Sequence, residues 1–145
     1  MKVLVTGASG FVGSALCKHL IERGLTTTGV VRYFPANPVP GVDYRIVSGL
    51  SESKFWKEIL VGMDVVVHCA ARAHVMNDTE VDTLAVFREV NVEGTRYLAE
   101  QAASYGIKRF IYISSIKVNG EGTSGQPFMA DDIPAPEDAY GVSKW

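Results

Sequence analysis

Short apolar runs rich in Val and Ile alternate with longer segments of helical period along this chain. This alternation is typical of parallel strands joined by helices that cover both faces of one sheet. The runs predict five strands, at about Lys2–Thr6, Thr27–Arg32, Tyr44–Val47, Val65–Cys69 and Phe110–Ser114. The sequence therefore predicts an α/β protein with a doubly wound parallel sheet.

Two longer segments carry apolar residues at helical spacing. The first, Val12–Arg23, is followed by Gly24, and the second, Thr83–Tyr105, is followed by Gly106. Glycine at that place commonly ends a helix, because it adopts the left-handed conformation of the cap. A shorter helix is predicted at Phe55–Leu60, and residues 120–138, rich in Gly, Ser, Pro and acidic side chains, predict a long surface loop.

Length and composition limit the class of protein. At 145 residues and 47% apolar content, the chain has room for one globular domain. A formal net charge of -2 offers no basic surface to nucleic acid or anionic lipid, and the longest apolar run, at Val65–Ala71, falls short of the roughly 20 residues of a membrane span. Two cysteines, Cys17 and Cys69, make no disulfide framework, and no secretory leader precedes the first strand. We expect a cytoplasmic protein with no nucleic-acid or membrane partner and no metal site.

Three glycines lie three residues apart between the first strand and the first helix. Glycine permits a tight turn, close approach of a phosphate to the backbone, and close packing of the helix on the sheet. The free amides at the helix start then favour a diphosphate. An ordinary strand-to-helix connection is the alternative, but the flanking elements favour a Rossmann-type dinucleotide site, and no Lys-Ser or Lys-Thr pair of an ATP or GTP site follows. The residues predicted to line this site are Gly7, Ser9, Gly10, Phe11, Val12 and Gly13.

Arg32 stands at the end of the second predicted strand. In folds of this kind an acidic residue there binds the adenosine ribose hydroxyls, whereas an arginine accommodates a 2'-phosphate. A guanidinium can meet phosphate oxygens with two parallel hydrogen bonds. We therefore predict NADP(H) in preference to NAD(H), and the alternative is a solvated arginine at a strand end.

Tyr140 and Lys144 are four residues apart, which places them on one face of a helix. A nearby cation favours the ionised form of a phenol, so Tyr140 is a candidate general acid and base. Lys144 can also donate hydrogen bonds to the nicotinamide ribose. Ser114 and Ser115 follow the fifth strand, at the carboxyl edge where ligands of parallel sheets bind, and a hydroxyl there can bond a substrate oxygen. Plain turn residues are the alternative for the two serines.

Several runs resemble the extended short-chain dehydrogenase/reductase family, specifically its nucleotide-sugar epimerases, dehydratases and 4-ketoreductases, the group like UDP-glucose 4-epimerase. Besides the glycines and Tyr140–Lys144, the runs are His68–Ala71, Asn91–Thr95 and Ser114–Ser115. The resemblance implies that Ser115 is the catalytic hydroxyl and that Ser114 contacts the cofactor. It also implies that Ala70, Ala71 and Arg72 line the middle of the cofactor and that Asn91 is a structural residue beside the site.

The resemblance implies hydride transfer at C4 of a UDP-hexose, as in bacterial surface polysaccharide synthesis, with Tyr140 exchanging the hydroxyl proton. Dehydratases of the family carry an Asp-Glu pair directly after the catalytic hydroxyl, and Ile116 and Lys117 stand there instead, so dehydration is not expected. Asn119 likewise replaces the family's usual tyrosine before Gly120.

The resemblance further implies that this chain is an incomplete NAD(P)-binding domain, without the carboxyl-terminal lobe that binds the nucleotide-sugar. It also implies a homodimer through the helices that begin at Thr83 and Tyr140. Two other functions stay open from the sequence. One is a non-catalytic NAD(P)-binding regulatory module, and the other is a short-chain reductase of a non-sugar ketone.

Overall fold

The computed structural model describes residues 1–51, 55–73 and 83–145. Their backbone divides into two compact units. The first unit comprises Met1–Ala71 and Gly94–Ile113, and the second comprises Arg72–Glu93 and Ser114–Trp145.

The first unit is built on a five-stranded parallel sheet of order β3-β2-β1-β4-β5. The strands are β1 (Lys2–Thr6), β2 (Thr26–Val31), β3 (Asp43–Ile46), β4 (Val65–His68) and β5 (Arg109–Tyr112). All five predicted strands are thus confirmed to within one or two residues at each end. The chain runs outward from β1 to β3 and returns to the other side of β1, so the strand order reverses beside β1. In sheets of this type, ligands bind at such a reversal, outside the carboxyl ends of the strands.

Helices pack on both faces of this sheet, which confirms the doubly wound architecture. Helix α1 (Phe11–Glu22) buries Cys17 in a cluster with Val3 and Val5. Helices α2 (Trp56–Leu60) and α4 (Gly94–Ser104) bury their apolar side chains with Leu4. Because successive side chains of a strand point to opposite faces, Leu4 and its neighbours belong to two separate cores.

The apolar runs indicated buried strands, and the two edge strands are less buried than the runs indicated. Strands β3 and β5 are only partly covered, and the side chains of Ile46 and Ile111 are 57% and 38% exposed. Each strand has a neighbour on one side only within the described residues, so fewer atoms cover it.

The second unit contains short helical elements and a long irregular loop. Its elements are α3 (Thr83–Arg88), a π-helical turn (Glu89–Glu93), a 3-10 turn (Ile116–Val118) and α5 (Ala139–Lys144). The sequence predicted one continuous helix over Thr83–Tyr105, and the π-helical turn interrupts it, so that prediction was wrong in this part. Residues 120–138 contain no helix or strand, as predicted. No helix in the described ranges is long and apolar enough to cross a membrane.

Gly24 and Gly106 follow α1 and α4 with φ of 71° and 72°, which confirms both predicted helix ends. The turn between β1 and α1 depends on glycine for a second reason, which is space. A Cβ on Gly7, whose φ is 66°, would lie 2.8 Å from the amide nitrogen of Ala70. A Cβ on Gly13 would overlap the carbonyl oxygen of Gly7 and lie 2.8 Å from its carbonyl carbon. The first turn of α1 therefore packs directly on the backbone of the preceding loop.

This packing predicts that Gly13→Ala destabilises the protein. Overpacking of this kind typically costs about 1–3 kcal/mol of unfolding free energy. The matched control is Gly49→Ala, because a Cβ on Gly49 meets nothing within 4 Å and its φ is not in the left-handed region. We expect the control to change the free energy by less than about 0.5 kcal/mol. Urea titration of the cofactor-free protein measures both values, and equal stability of the two variants would contradict the packing argument.

Candidate cofactor and active site

The glycine turn of the first unit leaves the amino terminus of α1 open. Gly10 is the N-cap residue, no side chain caps the first turn, and the first turn has no acidic residue. Ser9, Gly10, Phe11 and Val12 are exposed, Phe11 to 94%. The first amides of a helix have no partner inside the helix, and the helix dipole makes this end attractive to anions. The turn therefore has the shape and charge that a diphosphate group requires.

A buried hydrogen-bond chain holds the loop that follows β4 against this turn, within the same unit. The amide of Ala70 donates to Thr6 Oγ1 at 3.2 Å, and that hydroxyl lies 2.6 Å from His68 Nδ1. His68 Nε2 lies 2.8 Å from Thr95 Oγ1, and the His68 side chain is fully buried. Each hydroxyl can donate or accept, so both contacts are satisfied whichever ring nitrogen carries the hydrogen.

These hydrogen bonds fix the backbone of Ala70 beside Gly7, at the place where Gly7 tolerates no Cβ. The predicted cofactor residues Gly7 and Ala70 therefore contact each other, and Ala71 follows directly. No role was predicted for Thr6, His68 or Thr95. Two of them lie inside runs that carried the family resemblance, which was the only signal available for them.

Arg32 lies one residue beyond the end of β2 and is exposed. Two exposed aromatic residues follow it, Tyr33 and Phe34, and the ring of Phe34 packs edge-on against Tyr44 with 5.5 Å between centroids. The guanidinium is thus accessible at the carboxyl edge of the sheet, where the prediction of a phosphate contact requires it to be.

Asn91 forms hydrogen bonds to three polar groups of the second unit. It is 2% exposed and lies in the π-helical turn. Its Oδ1 accepts from the amide of Arg72 at 2.8 Å, and its Nδ2 donates to the Arg72 carbonyl at 3.0 Å and to Ser143 Oγ at 2.8 Å. Ser143 Oγ in turn donates to the Tyr140 carbonyl at 2.8 Å. Asn91 thereby ties the start of the second unit to helix α5, and Ser143 is a partner that sequence reasoning missed.

Helix α5 carries both Tyr140 and Lys144, as the spacing predicted. The ring of Phe87 packs against that of Tyr140 with 6.1 Å between centroids, and the guanidinium of Arg72 lies 5.8 Å from the Phe87 ring centroid. The Lys144 side chain is buried, at 4% exposure, although lysine is rarely buried to this degree. Ser114 Oγ donates to the Lys144 carbonyl at 3.4 Å.

Ser115 begins the 3-10 turn, and its Oγ accepts from the amide of Lys117 at 3.3 Å. The second unit thus contains all three predicted catalytic residues, which are Ser115, Tyr140 and Lys144. It also contains five of the predicted cofactor residues, which are Arg72, Asn91, Ser114, Tyr140 and Lys144. The predicted residues Gly7, Ser9, Gly10, Phe11, Val12, Gly13, Arg32, Ala70 and Ala71 belong to the first unit.

Lys117, Glu121 and Asp138 form an ion-pair network. Lys117 is two residues from Ser115, and Asp138 is two residues from Tyr140. Lys117 Nζ donates to both carboxylate oxygens of Glu121, at 2.5 and 2.6 Å, and to Asp138 Oδ2 at 3.0 Å. The other carboxylate oxygen of Asp138 caps α5 by accepting from the amide of Gly141. Hydrogen bonds to Glu121 and Asp138 raise the pKa of Lys117, and the Gly141 amide lowers the pKa of Asp138. Both groups are therefore charged at neutral pH.

The amino-acid sequence is similar to those of known proteins. Residues 3–145 match the sequence profile of the NAD dependent epimerase/dehydratase family. The chain is 49% identical over 144 residues to the UDP-glucose 4-epimerase of Vibrio cholerae, and the match covers 98% of this chain and 43% of that protein. It is 32% identical over 140 residues to the 2-alkyl-3-oxoalkanoate reductase of Stenotrophomonas maltophilia, covering 95% of this chain and 41% of that protein.

Among solved structures, the fold matches a variant of the UDP-glucuronic acid 4-epimerase of Bacillus cereus in complex with UDP-4-deoxy-4-fluoro-glucuronic acid and NAD. The TM-score is 0.78 at 28% identity, and the match covers 99% of this chain and 49% of that one. The chain thus spans less than half the length of the three proteins compared. The family profile nevertheless matches nearly all of it, and the resemblance inferred from the sequence motifs is confirmed. The chain belongs to the NAD dependent epimerase/dehydratase family.

Proposed function

We propose that the protein is an NAD(P)-dependent nucleotide-sugar epimerase or reductase that acts at C4 of a UDP-hexose, with bacterial surface polysaccharide synthesis as its setting. The observation that carries this proposal is the placement of Ser115, Tyr140 and Lys144 in one compact unit, where Ser114, the neighbour of Ser115, bonds the Lys144 carbonyl. The 49% identity to a UDP-glucose 4-epimerase supports the substrate class. A non-catalytic NAD(P)-binding module needs no such set of side chains.

The dinucleotide would be held by the first unit's glycine turn, where the first amides of α1 face outward and no acidic residue opposes an anion. Arg32 would contact the adenosine end, and Ala70 and Ala71 the middle. When bound, the nicotinamide accepts a hydride from the sugar carbon or returns it. The UDP-sugar and NAD bound in the Bacillus cereus structure are consistent with these ligand classes.

Residues of this chain would transfer the proton of the C4 hydroxyl. As the C4 hydroxyl becomes a carbonyl, its proton passes to the ionised phenol of Tyr140, and the same phenol returns a proton when the carbonyl is reduced. Ser115 Oγ would hydrogen-bond that oxygen and hold it in place. The ammonium of Lys144 would favour the ionised phenol and bond the nicotinamide ribose.

Dehydration is not proposed, because it requires an acid and a base next to the catalytic hydroxyl. Ile116 there is apolar and 64% exposed, and Lys117 is committed to its ion pairs. A second candidate function is reduction of a non-sugar ketone, which the Stenotrophomonas maltophilia relative supports. Assays of the full-length protein with UDP-hexoses and with 3-oxoalkanoates, each with NADH and NADPH, discriminate between the two candidates.

Replacement of the phenol hydroxyl tests the proton-transfer role. We expect Tyr140→Phe in the full-length protein to lower kcat for UDP-hexose turnover by about 10²–10⁴-fold, the usual contribution of a general acid and base. The dissociation constant for the cofactor should change by less than about twofold, because the ring and its packing on Phe87 remain. Tyr105→Phe, in the first unit, is the control and should keep full activity. Retained turnover in Tyr140→Phe would remove Tyr140 from the mechanism.

The cofactor preference is tested at Arg32. If its guanidinium binds a 2'-phosphate, Arg32→Ala should weaken NADPH binding by about tenfold, the equivalent of one charge-assisted hydrogen bond. NADH binding should change little. Arg96→Ala, at an exposed ion pair on α4, is the control for loss of a positive charge. Calorimetric titration gives both constants, and equal or tighter binding of NADH by the unmodified protein would rule out the NADP(H) preference.

A further inference from the structure

Two short segments of the second unit contact each other next to the proposed catalytic residues. Ser115 precedes Lys117 by two residues on the 3-10 turn, and Tyr140 follows Asp138 by two residues at the start of α5. The pairing of Lys117 with Asp138 therefore joins the segment that carries Ser115 to the segment that carries Tyr140.

The backbone part of this contact is tight. A Cβ on Gly141 would lie 2.6 Å from the Lys117 carbonyl oxygen, so this position admits only glycine at the observed spacing. One residue further along, the Val118 carbonyl accepts a hydrogen bond from the amide of Ala135 at 2.9 Å. The 3-10 turn is thus in direct backbone contact with the first turn of α5 and with the loop before it.

The ionic part of the contact spans the same two segments. One carboxylate oxygen of Asp138 accepts a hydrogen bond from the Gly141 amide, and the other accepts one from Lys117 Nζ. Glu121 accepts from the same ammonium with both of its carboxylate oxygens. The side chains of Lys117 and Asp138 are 37% and 42% exposed. A pair this exposed typically contributes little to the stability of a fold, so we look for its role in the arrangement of the two segments.

We propose that Lys117 and Asp138 form a positioning pair that sets the distance between the hydroxyls of Ser115 and Tyr140. This inference rests on the proposed function, because it assigns the pair to the reaction of those two hydroxyls. Neither Lys117 nor Asp138 touches the reacting atoms in this account. A misplacement of about 1 Å at a reacting group can lower a rate by about 10²-fold, so a pair of small energetic value can have a large catalytic effect.

The test is a double-mutant cycle in the full-length protein with Lys117→Met, Asp138→Asn and the double variant. Asparagine keeps an oxygen that can accept from the Gly141 amide, so this substitution removes the ion pair and retains the helix cap. We expect each single variant to lower kcat by about tenfold or more, with KM and cofactor affinity changed by less than about twofold. The double variant should be no slower than the slower single variant, because either change already breaks the pair.

Lys108→Met is the control, since Lys108 forms an ion pair with Asp64 in the first unit, at 2.6 Å. It should leave kcat unchanged. Lys117→Arg keeps the charge and should restore most of the activity that Lys117→Met loses. An unchanged kcat in Lys117→Met, or effects that multiply in the double variant, would overturn the proposal.

A second measurement needs no substrate, so it separates this inference from the proposed function. With 3-fluorotyrosine at position 140, the fluorine resonance reports the surroundings of the Tyr140 ring. We expect that resonance to shift in Lys117→Met and in Asp138→Asn and to stay in place in Lys108→Met. If the unmodified protein turns over no UDP-hexose, the proposed function fails while this measurement still decides the positioning role. Identical resonances in all variants would overturn that role.

Discussion

The contact between the first turn of α1 and the backbone of the loop before it is the constraint on which the proposed cofactor site depends. Gly13 packs on the carbonyl group of Gly7, and Gly7 packs on the backbone of Ala70. These two contacts bring the open end of a helix to the carboxyl edge of β1, next to the reversal of strand order. Side chains at either glycine would separate the helix from that edge, and the amides would no longer converge on one anion.

Buried polar groups hold candidate site residues in place within each unit. In the first unit, Thr6 bonds both His68 and the Ala70 amide, which holds the loop at Ala70. In the second unit, Asn91 bonds both Arg72 and Ser143. Buried polar groups of this kind are costly unless satisfied, so each network specifies one arrangement of the loop or helix that it holds. This is the property that a catalytic set needs, since its side chains must keep their distances through the reaction.

The strands and the glycine turn could be predicted because their causes are local in the sequence. An apolar run of four to six residues is sufficient to indicate a buried strand, and all five predicted strands are present. The exposure of β3 and β5 could not be predicted, because it depends on which strands form the edges. The π-helical turn could not be predicted from the sequence either. The residues around Asn91 have ordinary helical spacing, and its partner Ser143 lies 52 positions away. The pairing of Lys117 with Asp138, 21 positions apart, has no local sequence signal either.

We propose that a dinucleotide lies on the glycine turn with its diphosphate at the start of α1. A crystal structure of the full-length protein with NADH or NADPH would show where the diphosphate binds. We expect diphosphate oxygens within about 3.2 Å of the backbone nitrogens of Phe11 and Val12, which are hydrogen-bond distances. A diphosphate bound away from these amides, with the turn between Gly7 and Gly13 in contact with water alone, would contradict this placement.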